Sequence, residues 1–252
     1  MVEGRKMDGR LKEVIKSSKK IVFFGGAGVS TESGIPDFRS ENGLYQAQAR
    51  YGHSPEEMLS HSFFMNHTEM FYDYYKNNLI YPDVEPNSAH YALARLEAQG
   101  KLKAIVTQNI DGLHQLAGSK KVFELHGSVL RNYCMRCHTL YDVDYILKPS
   151  VCATEEHPDS NVPKCIRCGG VIKPDVILYE EPLDEDVMEG AIEAISRADM
   201  LIVGGTSLVV YPAAGLINYF HGNNLVLINK SETPYDQRAN LVIHDAIGKV
   251  LS

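Results

Sequence analysis

Ile21-Val22-Phe23-Phe24-Gly25-Gly26-Ala27-Gly28 is the stretch whose reading decides the fold. Four apolar residues run without a polar break into a glycine cluster. So short and continuous an apolar run suits a strand buried on both faces, as in a parallel sheet covered by helices. Glycines after such a strand let backbone amides approach a phosphate. Standing alone, the same residues fit a plain tight turn equally well. The full dehydrogenase fingerprint is absent. Gly26 and Gly28 fit it, but its third glycine position is Thr31, and no acidic residue stands near position 48 to hold an adenine ribose.

The layout recurs downstream. Lys103-Ala104-Ile105-Val106 runs into Thr107-Gln108-Asn109-Ile110-Asp111-Gly112, with His114 just beyond. Val122-Phe123-Glu124-Leu125 delivers His126-Gly127. Met200-Leu201-Ile202-Val203 ends in Gly204-Gly205-Thr206-Ser207, and Leu225-Val226-Leu227-Ile228 ends in Asn229. Helical patterns alternate with these strands. Residues 8 to 19 carry Leu11, Val14 and Ile15 on one face behind a capping Asp8. Ser88 to Gln99 turns Leu93 and Leu96 inward and stops at Gly100. Asp184 caps a helix to Ala198, and Tyr211-Pro212 opens another that Gly222 stops. Lys173 to Tyr179 reads as an extended segment that rejoins the main domain, and a last apolar segment covers Leu241 to His244. Alternation of this kind predicts an α/β fold, a parallel sheet with helices on both faces and a ligand crevice at the carboxyl ends of the strands. A solitary histidine is usually structural. His126 is the third case of a strand ending in polar or reactive side chains, so it is read as functional. For Asn109 and Asp111 the competing explanation is turn chemistry, since both residue types bond their own backbone.

From Ser40 to about Pro82 the strand signal is lost and aromatics cluster, as in Met70-Phe71-Tyr72-Asp73-Tyr74-Tyr75. This predicts a small helical insertion whose rings pack a core. Cys134-Met135-Arg136-Cys137 and Cys165-Ile166-Arg167-Cys168 are two matched hooks, separated by residues 138–164. Two such hooks close a tetrahedral four-thiolate zinc site of the structural kind. A redox Cys-x-x-Cys needs no second pair. Cys152 is left over as an ordinary thiol. The chain has 252 residues, 44% hydrophobic and 23% charged, with a net charge of −7. That composition is globular, and the acidic balance gives no electrostatic reason for direct nucleic-acid binding. No apolar run is long enough to span a membrane. The residues 1–10 lack the apolar core of a secretion signal. The expected location is the cytoplasm, where paired cysteines favour metal over disulfides.

Taken together, Gly26-Ala27-Gly28-Val29-Ser30, Gly34-Ile35-Pro36-Asp37-Phe38-Arg39, Thr107 to His114, Leu125-His126-Gly127 and the two cysteine hooks resemble the sirtuins, which are NAD-dependent protein lysine deacylases. The likeness runs in the family's order from about residue 20 to 245. It implies a Rossmann-like large domain (1–40, 83–130 and 172–252) with a small domain made of a helical module (41–82) and a zinc-binding module (131–171). It implies that NAD is a co-substrate whose bond to nicotinamide breaks, that the acyl oxygen of an acetylated lysine attacks the ribose carbon, and that the acetyl group leaves on ADP-ribose.

Carried over residue by residue, the resemblance makes His126 the general base on a ribose hydroxyl, and imidazole suits that work. Asn109 positions the ribose and a water. Ile110 and Asp111 line the nicotinamide pocket, Phe38 shields the reacting face, and Arg39 sits beside the phosphates. Ala27, Thr31, Gln108, Thr206, Ser207 and Asn229 match further NAD contacts, with Asp245 and Ala246 toward the adenine. The substrate peptide is expected to add as a strand between segments near Val176–Glu181 and Leu208–Val210. There the chain departs from the family: Tyr179-Glu180-Glu181 stands where Phe-Gly-Glu is common, so a glycine is lost from the peptide loop. A second departure concerns the acyl group. The desuccinylase branch carries Tyr-x-x-Arg where this chain has Tyr72 and Tyr75, so acetyl or a longer neutral acyl group is expected over succinyl. The competing activities are mono-ADP-ribosyl transfer, hydride transfer, and nucleic-acid binding by a zinc ribbon.

Overall fold

The computed structural model describes residues 9–37, 50–152 and 160–252. In chain order the strands are β1 (Ile21–Gly25), β2 (Leu102–Thr107), β3 (Val122–Glu124), β4 (Gly127–Cys134), β5 (Leu140–Asp142), β6 (Ile172–Val176), β7 (Met200–Gly204), β8 (Asn224–Ile228) and β9 (Leu241–Ile243). Six of them form one sheet in the order β3-β2-β1-β7-β8-β9. Every pairing in it is parallel. The opening stretch is therefore a central strand, while the histidine-bearing strand β3 lies at an edge. From β1 the chain builds outward to β2 and β3, then returns to the other side of β1 for β7, β8 and β9. The order thus reverses between β1 and β7, where a doubly wound sheet opens its crevice.

All five residues of β1 are buried, as are all five of β7. Their alternation feeds two cores. Ile21, Phe23, Ile105, Ile202 and Val226 face one side, with Leu11 and Ile15 of helix α1 (Gly9–Ser17). Val22, Phe24, Val106, Leu201 and Leu227 face the other, against Ala191, Ile195 and Ile217. The sheet is covered on both faces, as the unbroken apolar strands predict.

The helical insertion comprises α2 (Pro55–Met58), α3 (His61–Asn66) and α4 (Thr68–Asn78). Its rings make a core shared with the cysteine module: Phe64, Phe71, Tyr72 and Tyr75 pack in one cluster with Cys134, Ile146, Cys165 and Ile172. The hydroxyl of Tyr72 donates to the Ile172 carbonyl. Helix α5 (Ser88–Ala98) is capped by Asn87 and leads into β2. Then come α6 (Leu113–Leu116), α7 (Val143–Leu147) and α8 (Glu185–Ser196), the last capped by the Asp184 carboxylate at the Val187 N–H.

Three details differ from the sequence expectations. Lys173 to Val176 does not rejoin the large sheet; β6 pairs antiparallel with β4, and β5 completes a second sheet in the order β5-β4-β6. The segment after Pro212 is a 3₁₀ helix, Ala213–Tyr219, rather than an α-helix. Its three-residue period stacks Ala213 over Leu216 and Ala214 over Ile217, and all four are buried. Beyond β9 the chain adds a short helix, α9 (Ile247–Leu251). The capping Asp8 lies outside the described residues. Among the described residues, no helix is long and apolar enough to cross a membrane.

Candidate active site

The two glycine turns at the reversal point lean on each other. The Gly28 N–H donates to the Gly205 carbonyl at 2.8 Å, and the Gly26 N–H to the Gly204 carbonyl at 3.3 Å. A β-carbon on Gly28 would stand 2.8 Å from the Gly205 Cα. These glycines are required by the close approach of two backbones, so the turn's shape is fixed from behind. Ala27 and Thr31 lie in successive 3₁₀ turns, Ala27–Val29 and Thr31–Ser33, with the Thr31 hydroxyl donating to the Gly28 carbonyl at 3.0 Å.

Between the two turns is Ser30, which is 1% exposed. Its hydroxyl donates to Asp111 Oδ2 at 2.6 Å and accepts from Asn109 Nδ2 at 3.0 Å. Asp111 Oδ1 accepts from the Leu113 N–H at 2.9 Å, and the Asn109 N–H bonds the Thr107 hydroxyl. The turn chemistry considered for these residues is thus present at Asp111 but is not made by the Asn109 side chain, and both side chains reach across to Ser30. Gln108 closes the other side: its Nε2 donates to the Thr206 hydroxyl at 3.1 Å, tying the ends of β2 and β7.

His126 occupies the joint between β3 and β4. Its Nδ1 lies 3.0 Å from the Gln108 carbonyl. A carbonyl only accepts, so Nδ1 carries the proton and Nε2 keeps its lone pair. Burial lowers the imidazole pKa from 6.5, and the bond to Gln108 offsets this only in part. The ring is neutral at neutral pH, with Nε2 free to take a proton. Gly127 behind it holds φ 74°, and a β-carbon there would strike the Asp175 carbonyl. That collision is why a glycine follows the histidine.

Beneath the site, two histidines are sealed in. His90 and His114 are 0% and 1% exposed, with ring centroids 4.7 Å apart. His90 Nδ1 accepts from the Asn87 N–H, completing the α5 cap. Burial draws the two pKa values down to about 4 and about 3. Asn87 also donates to the Val29 carbonyl at 2.8 Å and to the Ser33 hydroxyl at 3.0 Å, clamping the first turn from below.

The remaining expected site residues lie at the same sheet edge. Thr206 is buried and accepts from the Leu208 N–H, whereas Ser207 is exposed. Asn229 follows β8 and donates through Nδ2 to the Ser231 carbonyl. Ala246 caps α9 beside Asp245. Ile110 packs against the small-domain core. Phe38 and Arg39 lie outside the described residues.

Away from the sheet edge, the sulfurs of Cys134, Cys137, Cys165 and Cys168 all lie within 4.8 Å of one another. Cys134 and Cys168 stand 3.4 Å apart, and Cys137 and Cys165 3.6 Å. Tetrahedral zinc with bonds of about 2.3 Å sets its sulfurs about 3.8 Å apart, so the four thiols fit that ion. Each hook ends in a left-handed residue, His138 (φ 56°) or Gly169 (φ 71°), which turns the chain back around the sulfurs. Such a site has no open position and is structural. Cys152 is buried apart from this set, 3.4 Å from the Lys76 ammonium.

The peptide loop departs from expectation in an informative way. Glu180 keeps a left-handed backbone, φ 76°, although it is not glycine. Tyr72 and Tyr75 are both fully buried, and burial raises both phenols, so they stay neutral.

A family model described as the Sir2 family matches residues 26–212, most of the chain and its strand ends from Gly26 to Ser207. The chain belongs to the Sir2 family. Relatives in this family include an NAD-dependent protein deacetylase of Clostridium perfringens, 66% identical over 96% of both chains. One of the same name from Staphylococcus aureus is 45% identical over 96% of this chain and 95% of its own. A solved Sir2 structure with a p53 peptide and NAD+ superposes with a TM-score of 0.83 at 40% identity, covering 96% of this chain and 95% of that one. Another, bound to a propionylated peptide, gives 0.81 at 40% identity, covering 96% and 94%. The sirtuin reading, the parallel-sheet fold and the fit to one zinc ion all stand. Sequence reasoning missed Ser30, Asn87 and the His90–His114 pair as parts of this Sir2 site. A hydroxyl directly after the glycine turn was the one available signal for Ser30.

Proposed function

We propose that this chain is an NAD-dependent protein lysine deacetylase, transferring the acetyl group of acetyl-lysine to ADP-ribose with release of nicotinamide. The observation that carries the reading is the His126–Gln108 bond, which leaves a neutral Nε2 at the strand-end crevice of a Sir2 fold. NAD supplies the ribose carbon that receives the acyl oxygen. His126 Nε2 takes the proton of a ribose hydroxyl. Asn109, held by Ser30, orients that ribose and a water, and Asp111 presents its carboxylate to the nicotinamide amide beside Ile110. Ala27, Thr31, Gln108, Thr206, Ser207, Asn229 and Ala246 hold the rest of the dinucleotide, and Phe38 and Arg39 keep the roles read for them from the sequence. The acylated peptide adds as a strand along Val176–Glu181, opposite Leu208–Val210.

The neutral, buried Tyr72 and Tyr75 give an acidic acyl chain no counter-charge, which supports acetyl or a longer neutral acyl group over succinyl. We divide the chain as read from the sequence, with 41–82 and 131–171 as the small domain, and add to it β6 (Ile172–Val176), which pairs with β4 in the second sheet. Five free cysteines, four of them grouped for a metal, support a reducing, cytoplasmic setting.

The test is mass spectrometry of an acetyl-lysine peptide incubated with the protein, with and without NAD. The expected outcome is loss of the acetyl mass only with NAD, appearance of nicotinamide and acetylated ADP-ribose, and loss of turnover by at least about a hundredfold in His126→Ala. An untouched peptide, or a protein that itself gains the mass of ADP-ribose, sinks the proposal.

A further inference from the structure

The loop after β6 is fastened to the helical module by hydrogen bonds from Tyr179, Glu180 and Glu181. The Tyr179 N–H donates to the Leu59 carbonyl at 2.9 Å, and the His61 N–H donates to the Tyr179 carbonyl at 2.9 Å. Glu181 binds three ways: Oε2 accepts from the Leu178 N–H at 2.9 Å and from the buried Lys173 ammonium at 3.1 Å, and Oε1 meets His61 Nδ1 at 2.8 Å. Each of these contacts explains a fold. Glu180 is different. It sits at the loop's tip, exposed, in a left-handed conformation that glycine takes freely and glutamate does not. Its carboxylate folds back, and Oε2 accepts from both the N–H and the hydroxyl of Ser62, at 2.8 and 2.6 Å. Ser62 lies in the first turn of α3, where an N–H lacks an intrahelical partner and favours a negative charge. The two donors hold the Glu180 carboxyl below the ordinary carboxylate range.

We propose that Glu180 is a positioning residue for the acylated peptide: its bond to Ser62 locks the left-handed tip of the loop and so fixes the edge on which the peptide is laid. This rests on the deacetylase reading and on the peptide's place along Val176–Glu181. The loop begins where the Ile177 N–H donates to the His126 carbonyl at 3.0 Å, so the edge that Glu180 steadies is joined directly to the base. The tether does in this chain what a glycine does by flexibility, and it leaves the loop stiffer. A pre-set edge costs less ordering when the peptide binds.

The test compares Glu180→Ala, Glu180→Gln, Glu180→Gly and Ser62→Ala, by steady-state kinetics with an acetyl-lysine peptide and NAD and by fluorescence anisotropy of the labelled peptide. Glu180→Ala is expected to raise KM for the peptide about tenfold, with kcat and KM for NAD within about twofold, because a charge-assisted bond is lost without touching the chemistry. Glu180→Gln is expected to recover part of the loss. Glu180→Gly removes the strain but not the slack and stays weaker than wild type. Ser62→Ala raises the same KM and adds nothing further to Glu180→Ala, as partners in one contact do. The proposal is overturned if Glu180→Ala leaves peptide KM and affinity unchanged, if kcat and the NAD constant fall in step with it, or if the two losses add. Should Glu180→Ala fail to fold, Ser62→Ala alone carries the same decision. A wild-type protein that does not deacetylate the peptide overturns the function itself, before any variant is compared.

Discussion

In the six-stranded sheet every residue of β1 and β7 is buried, whereas in the three-stranded sheet Leu140 on β5 is 71% exposed. The first is held between two layers of apolar side chains. The second has three strands, of which β4 and β5 carry exposed residues, and a set of four thiols at its end. Sheets of this size are marginal without added support. The site is carried by the larger sheet, which presents the polar strand ends, and the smaller sheet joins it at His126, between β3 and β4.

Metal removal breaks the comparison most severely. A structural four-thiolate zinc supplies on the order of 10 kcal/mol to its fold. Chelation, or Cys165→Ser, is expected to release one ion per chain and to unfold β4–β6 together with the aromatic core around Phe71. Hydrogen exchange should still protect β1, β7 and β8. If protection in β1 is lost at the same chelator concentration, the two sheets are one cooperative unit and the contrast fails.

The large sheet has its own weak seam. Gly28→Ala places a β-carbon against the Gly205 backbone, which cannot swing aside as a side chain would. Overpacking of this kind costs about 1–3 kcal/mol. Urea unfolding should reveal it, and zinc content should not change. Reduced zinc retention in this variant would mean that strain crosses from one sheet to the other.

The smallest effect sharpens the contrast by pH. His114 has its pKa drawn from 6.5 to about 3 by burial. As pH falls below 6.5 the unfolded chain takes up a proton that the folded chain refuses, so folding weakens with falling pH until about pH 3. At pH 5 this amounts to about 2 kcal/mol. His114→Leu should narrow the difference in unfolding free energy between pH 7 and pH 5, read from urea titrations, by that amount. An unchanged difference would place the acid sensitivity elsewhere.

Much of the architecture was legible because it is local. Apolar runs named the strands, and matched cysteine spacing named the metal module. Asn109, Asp111 and His126 could be placed at one crevice because a parallel sheet gathers its carboxyl ends. What could not be read is whatever depends on two distant backbones meeting. Asn87 looks like a helix cap, and nothing in its neighbourhood announces its bonds to Val29 and Ser33. Lys173 to Val176 reads only as an extended segment, and its pairing with β4 is what assigns it to the smaller sheet. Glu180 hides its left-handed backbone because its residue type argues against one, and the compensating donor, Ser62, is far away in sequence.

The position of His126 has one more consequence. Strand β3 ends at Glu124 in the large sheet, and β4 begins at Gly127 in the small one. The imidazole is therefore mounted on the axle between them, its ring braced by the large sheet through Gln108 and its own carbonyl engaged by Ile177 beyond β6. In the proposed reaction the base and the start of the peptide-binding segment are therefore joined by one backbone hydrogen bond, from Ile177 to His126, while the ring itself takes its bearing from the large sheet.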